Sequence, residues 1–180
     1  MKVVKPTTLT AAMLVSTDAA ETYSAWNAAT AYVLDDIVLR TTTERLYQRL
    51  VAGTTATAPE SDTTNWLDIA PSNKWAMFDG EISTVTTKST SLTVVLKPGY
   101  VNSLALFGLV GSNLSVTVRD ALAGNIVYTL SQDLDGTIIA DWYQYFFEPV
   151  VQLAALVLTD LPPYGDAHIT VVLTGTGTVE

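Results

Sequence analysis

The chain has 180 residues, 48% of them hydrophobic and 15% charged, no cysteine, and eighteen acidic against nine basic side chains for a net charge of −9. The acid excess repels phosphate backbones, so nucleic acid is excluded as a partner. The missing thiols exclude disulfides and thiolate metal sites, and the apolar content excludes chain-wide disorder. No apolar run reaches the roughly 18–20 residues that span a bilayer, so no membrane insertion is expected.

Residues 1–21, MKVVKPTTLTAAMLVSTDAAE, carry two lysines and a weak apolar run broken by Thr7, Thr8 and Thr10. That pattern fits an extended docking arm better than a secretory signal. With few large apolar residues to hold it on its own domain, the arm is expected to order only on a partner surface.

Residues 22–70 read as a small β domain of two or three short strands. Trp26, Tyr32, Val38, Tyr47 and Trp66 punctuate its apolar pieces, and the loop GTTATAPESDTTN is broken by Gly53 and Pro59. So short a segment has a marginal core, so its large rings are expected to supply much of the buried area. Asp35 and Asp36 are not read as an acid–base pair, because adjacent residues on a strand face opposite ways and cannot flank one bond.

Beyond PSNKWAMFDG, residues 71–180 read as an antiparallel β-sandwich of jelly-roll type. The runs SLTVVL (91–96), NSLALFGL (102–109), LSVTVRD (114–120), NIVYTLS (125–131), AALVLTDL (154–161) and HITVVLTG (168–175) are separated by turn signals with no long amphipathic helix between them. His168, the only histidine, opens the last run without a nucleophile motif beside it and is not read as catalytic. Asp133-Leu134-Asp135-Gly136 begins like a calcium loop, but Ile138 and Ile139 stand where ligands should follow, so it reads as a turn. No metal or cofactor is expected, and no enzymatic activity. The chain closes on TGTGTVE, as an edge strand that pairs with a neighbour would, or a longer protein cut short.

DWYQYFFEP, residues 141–149, packs five aromatics into nine residues. Read as a strand, it places Trp142, Gln144 and Phe146 on one side and Tyr143, Tyr145 and Phe147 on the other, anchoring the sandwich while touching something outside it. Amphipathic rings suit a core, a sugar platform or a protein interface. Trp26, Trp66, Trp142, Tyr143 and Tyr145 are therefore the candidate glycan contacts, and Trp142, Tyr143, Tyr145 and Phe147 the candidate interface.

The spacing of Trp26, Tyr32, Asp36, Val38, Tyr47, Pro59 and Trp66 resembles the small chitin-binding carbohydrate-binding modules appended to chitinases and cellulases. Two departures stand out. Gln48-Arg49-Leu50-Val51 follows Tyr47 where such modules carry a tandem aromatic pair that stacks on the sugar, and Asp35 replaces the usual glycine before Asp36. Over nearly the whole chain, the arm, the aromatic module, PSNKWAMFDG, KPGYVNSLALFGL, DWYQYFFEP and TDLPPYGDAHITVVLTG look, in this order, like a group of tailed-bacteriophage virion proteins encoded among tail and baseplate components. The resemblance implies a structural protein of the virion at the tail tip, baseplate or an appendage, present in several copies as a homo-oligomer or symmetric ring with other tail proteins. The alternative it leaves open is a host-surface adhesion module that binds bacterial glycans through exposed aromatics.

Overall fold

A computed structural model describes residues 5–81, 84–137, 140–147, 149, 151–175 and 177–179. In chain order the strands are β1 (Leu14–Thr17), β2 (Ile37–Arg40), β3 (Arg45–Arg49), β4 (Trp66–Pro71), β5 (Thr86–Lys88) and β6 (Ser91–Leu96). They continue with β7 (Leu104–Leu106), β8 (Asn113–Arg119), β9 (Ile126–Asp133), the short helix α1 (Trp142–Phe147), β10 (Leu156–Leu158), β11 (His168–Thr174) and β12 (Gly177–Val179). The protein is all-β, as its composition and turn spacing predict, with a small three-stranded sheet and a larger antiparallel one.

The chain divides into two compact units, one of residues 20–86 and one of residues 1–19 with 87–180. These limits differ from those drawn on the sequence at 21/22 and 70/71. The segment after β4 belongs to the small unit because Asn73 ties it there. Its side chain donates to the Ala20 carbonyl at 2.8 Å, its own carbonyl accepts from the Thr86 hydroxyl at 2.6 Å, and its N–H donates to the Glu21 carboxylate at 3.0 Å.

In the larger unit the sheet order is β1-β6-β11-β8-β9, antiparallel at each step. Alternation in β6, in β8 and, from Ile169 onward, in β11 puts every second side chain on one buried face. Cross-strand register aligns them in three rows: Leu92, Leu173 and Leu114; Val94, Val171 and Val116; Leu96, Ile169 and Val118. All nine are buried. Each contributes about 1.5–3 kcal/mol by leaving water, so these rows hold the unit together. The opposite face carries Thr93, Val95, Ser115, Thr117, Thr170 and Val172, none fully buried. Two ribbons, β7–β10 and β5–β12, complete the unit, the second placing residues of TGTGTVE against β5 within the chain.

The arm expected over residues 1–21 is not free throughout. Its residues 14–17 form β1, paired with Val94, Val95 and Leu96 of β6, and Asp18 extends the attachment by accepting the Thr93 N–H at 2.8 Å and facing Lys88 Nζ at 2.6 Å. Residues 5–10 form no regular element and are mostly exposed.

In the small unit β2, β3 and β4 form an antiparallel sheet in that order. Val38, Tyr47 and Trp66 are its buried core, with Trp26 and Tyr32 packed against them, as the shortage of other large side chains predicts. The β2–β3 connection, residues 41–44, places Glu44 at φ 52, a left-handed position that closes the hairpin back into register.

Candidate interaction surface

Two aromatic groups compete for a functional reading, and burial separates them. In the small unit Trp66 is 2% exposed and Tyr47 5%. The Tyr32 ring meets Trp66 edge-on at 5.2 Å, and its hydroxyl accepts the Asn27 N–H at 2.8 Å. The Arg49 guanidinium lies over Trp66 at 4.8 Å from the ring centroid, and Arg40, held bidentately by Glu60 at 2.8 Å, lies over Trp26 at 4.9 Å. Trp66 therefore has no face open to a sugar, which corrects its reading as a glycan contact: a core of this size needs the ring inside. Trp26 is half-buried, with one face under a cation. In the stretch Gln48-Arg49-Leu50-Val51, which replaces the stacking pair of the resembled modules, Arg49 is buried and Leu50 and Val51 are exposed aliphatics.

Arg49 is itself 2% exposed. Its Nη2 donates to the Gly53 carbonyl at 3.3 Å, while Nε and Nη1 have no partner among the described residues. Nearby, hydrogen bonds from Asn65 and Thr55, together with the Arg49 charge, hold the Asp62 carboxyl below the usual carboxylate range. The buried cation serves the fold, since it stacks on a core ring.

Asp35 and Asp36 precede β2 in a turn. Asp35 adopts φ 68 and accepts from Gln48 Nε2 at 2.8 Å, and Asp36 accepts the Val33 N–H at 2.7 Å. The position where the resembled modules carry glycine is thus left-handed here, a conformation aspartate tolerates better than most residues. His168 is buried at the start of β11, and its Nδ1 sits 3.0 Å from the Asp166 carbonyl, which can only accept and so fixes the proton on Nδ1. Asp133 and Asp135 each accept the N–H two residues on, at 3.0 and 2.9 Å, which makes turns of that stretch.

Among the described residues no group of three or more His, Asp or Glu is placed to hold a metal ion, and no helix is long and apolar enough to cross a membrane. A cavity of about 200 Å³ in the small unit is lined by Glu21, Tyr23, Leu46, Pro71 and Val85 among others. It is smaller than a typical ligand pocket of roughly 300–1,000 Å³. Both oxygens of Glu21 are occupied there by the Asn73 and Lys74 amides.

The second aromatic group is the reverse of the first. Residues 142–147 form α1 rather than the expected strand, and none of them anchors the sandwich core. The local reason is a capping arrangement that the sequence shows as Asp-x-x-Gln before an apolar run. Asp141 Oδ1 accepts the Gln144 N–H at 2.8 Å, and Gln144 Oε1 reaches back to the Ala140 N–H at 2.6 Å. Helical spacing then sets rings three and four residues apart beside one another: Trp142 with Tyr145 at 6.1 Å, Trp142 stacked with Phe146 at 6.4 Å, and Tyr143 with Phe147 at 4.8 Å. Trp142 is 78% exposed, Tyr143 72%, Tyr145 60%, Phe146 69% and Phe147 70%.

Five neighbouring rings facing water are far from the scattered single apolar residues of an ordinary surface, and they mark a contact site. Phe146, which the sequence reading does not include among the interface candidates, joins them at 69% exposure. No family of known proteins, no curated protein and no solved structure matches the chain.

Proposed function

We propose that the chain is a structural protein of a bacteriophage virion, assembling in several copies with other proteins of the tail tip, baseplate or an appendage. The observation that carries the assembly role is α1: a surface helix with aromatic side chains on every side but that of Gln144 needs another surface to cover it. The phage assignment rests on the resemblance of the ordered segments along the chain. The buried frame of the small unit supports a scaffold role for that part.

A map of a purified particle tests this reading. The expected result is several copies with α1 enclosed in contacts; a particle lacking the chain, or one holding a single copy with α1 facing solvent, overturns it. The adhesion reading draws on one specific observation, that Trp142, Tyr143 and Tyr145 keep ring faces open to solvent. Saturable binding of the purified chain to bacterial wall glycans, abolished by Trp142→Ala, would establish that reading in its place.

A further inference from the structure

We infer that the surface covering α1 is α1 of further copies of this same chain, gathered about a shared axis. The inference rests on α1 being a docking surface and is independent of the phage assignment.

Area is the first argument. At 60–78% exposure the five rings offer on the order of 500–900 Å² of apolar surface, taking about 150–250 Å² per ring. The largest apolar patch on an ordinary monomer is about 300–600 Å², and a stable pair of proteins buries about 800 Å² per partner. At the upper end of its range the patch matches one side of a standard interface.

The second argument is complementarity. An aromatic ring has a negative face and a positive edge, so rings prefer to meet edge to face. α1 presents both, already arranged edge-on within itself by Tyr145 against Phe146 at 5.1 Å and 89°. A second α1 supplies the matching edges and faces without any new chemistry. A single flat partner would cover one side of a helix that is apolar almost all round, whereas copies about an axis cover more of it.

Charge removes the main competitors. No lysine or arginine occurs after Arg119, so the segment carrying α1 offers nothing to a phosphate backbone or an anionic lipid headgroup. It also means that identical copies repel at long range, and that repulsion fades as salt shortens the screening length to about 3 Å at 1 M. Self-association through α1 is therefore strengthened by salt, the opposite of binding driven by unlike charges.

The test is sedimentation velocity of the full chain over a range of concentrations at low and high NaCl, repeated with Trp142→Ser/Phe146→Ser. Expected are reversible oligomers that tighten with salt, and a dissociation constant raised at least about 30-fold in the variant, as for loss of an interface hot spot. At a dilution where both chains are monomeric the thermal midpoint should not change, because the rings are exposed in the single chain.

Absence of cysteine permits a second readout: Tyr143→Cys should form an intermolecular disulfide on oxidation, while Leu122→Cys, equally exposed in the β8–β9 turn, should not. A chain that stays monomeric at high concentration and salt overturns the inference, as do oligomers that the double variant leaves intact. Binding of the monomer to phosphatidylcholine vesicles through Trp142 would assign α1 to a lipid surface and overturn it as well.

Discussion

The rings of the small unit and the rings of α1 are the same kinds of side chain put to opposite uses. Tyr47 and Trp66 are enclosed, each stabilising its unit through contacts inside the chain; Trp142, Tyr143, Tyr145, Phe146 and Phe147 are open and make contacts mainly with each other. The difference shows that aromatic density alone does not mark a binding face. What decides is how much other apolar material the surrounding segment has to bury. The small unit has little, so its rings go inward, whereas the larger unit already has nine aligned aliphatics in its sheet and leaves the rings of α1 outside.

Stability measurements break this comparison most directly. In dilute solution, where the chain is monomeric, Trp66→Ala should cost about 3–5 kcal/mol in urea unfolding, as for a large ring removed from a packed site, while Trp142→Ala should stay within about 0.5 kcal/mol of the parent. Equal costs for the two would end the distinction.

Arg49 sharpens it further, since its stem and guanidinium pack on Trp66 but two of its donors lack partners among the described residues. Arg49→Met, which keeps apolar contact and drops the donors, should be more stable than Arg49→Ala by about 1–2 kcal/mol. An alanine variant as stable as the methionine one would show that the stem contributes nothing.

A smaller effect is expected from pH. Burial pushes the Asp18 carboxyl up, but the Lys88 ammonium and the Thr93 N–H outweigh it and hold the group below its usual value. A carboxyl whose folded value is depressed stabilises fully above its unfolded value, near 3.8, and loses that contribution as pH falls through the folded one. Amide protection in β1 should therefore drop in acid below about pH 4 more than protection in β8, by no more than about 1 kcal/mol for so exposed a pair. In Asp18→Asn that acid-dependent difference should vanish.

The smallest effect belongs to Asp35. Asp35→Gly should change stability by less than about 0.5 kcal/mol, the eased left-handed backbone offsetting the lost Gln48 contact, while Asp35→Val should cost at least about 1 kcal/mol. Equal stability of the two variants would remove the conformational argument.

Much of the larger sheet was legible because alternation is a local signal. SLTVVL became β6, and the runs from 114, 125 and 168 became β8, β9 and β11 with shifts of a residue or two at their ends. The buried frame of the small unit was legible from size. Two features were not. β1 lies in a weakly apolar stretch whose partner is about 75 residues away, and no local pattern announces such a pairing. The run of α1 reads as a strand because Trp, Tyr and Phe favour strands, and the Asp141-x-x-Gln144 cap that outweighs this preference lies at the edge of the run. The exposure of its rings depends on what the rest of the unit can cover, which is a property of the fold as a whole.

The clasp at Asn73 has a consequence for the order in which the chain folds. β1 is made before the small unit and its partner β6 after it, with 75 residues separating Asp18 from Thr93. Closing so long a loop directly is entropically costly and slow. Asn73 holds both Ala20 and Thr86, so a small unit that folds first draws the two flanks of that loop together. Each halving of loop length is worth about 0.6 kcal/mol, so an eightfold shortening lowers the closure cost by about 2 kcal/mol. In synthesis from the N-terminus β1 and the small unit precede β6, so a small unit that has already folded lowers the entropic cost of pairing β1 with β6.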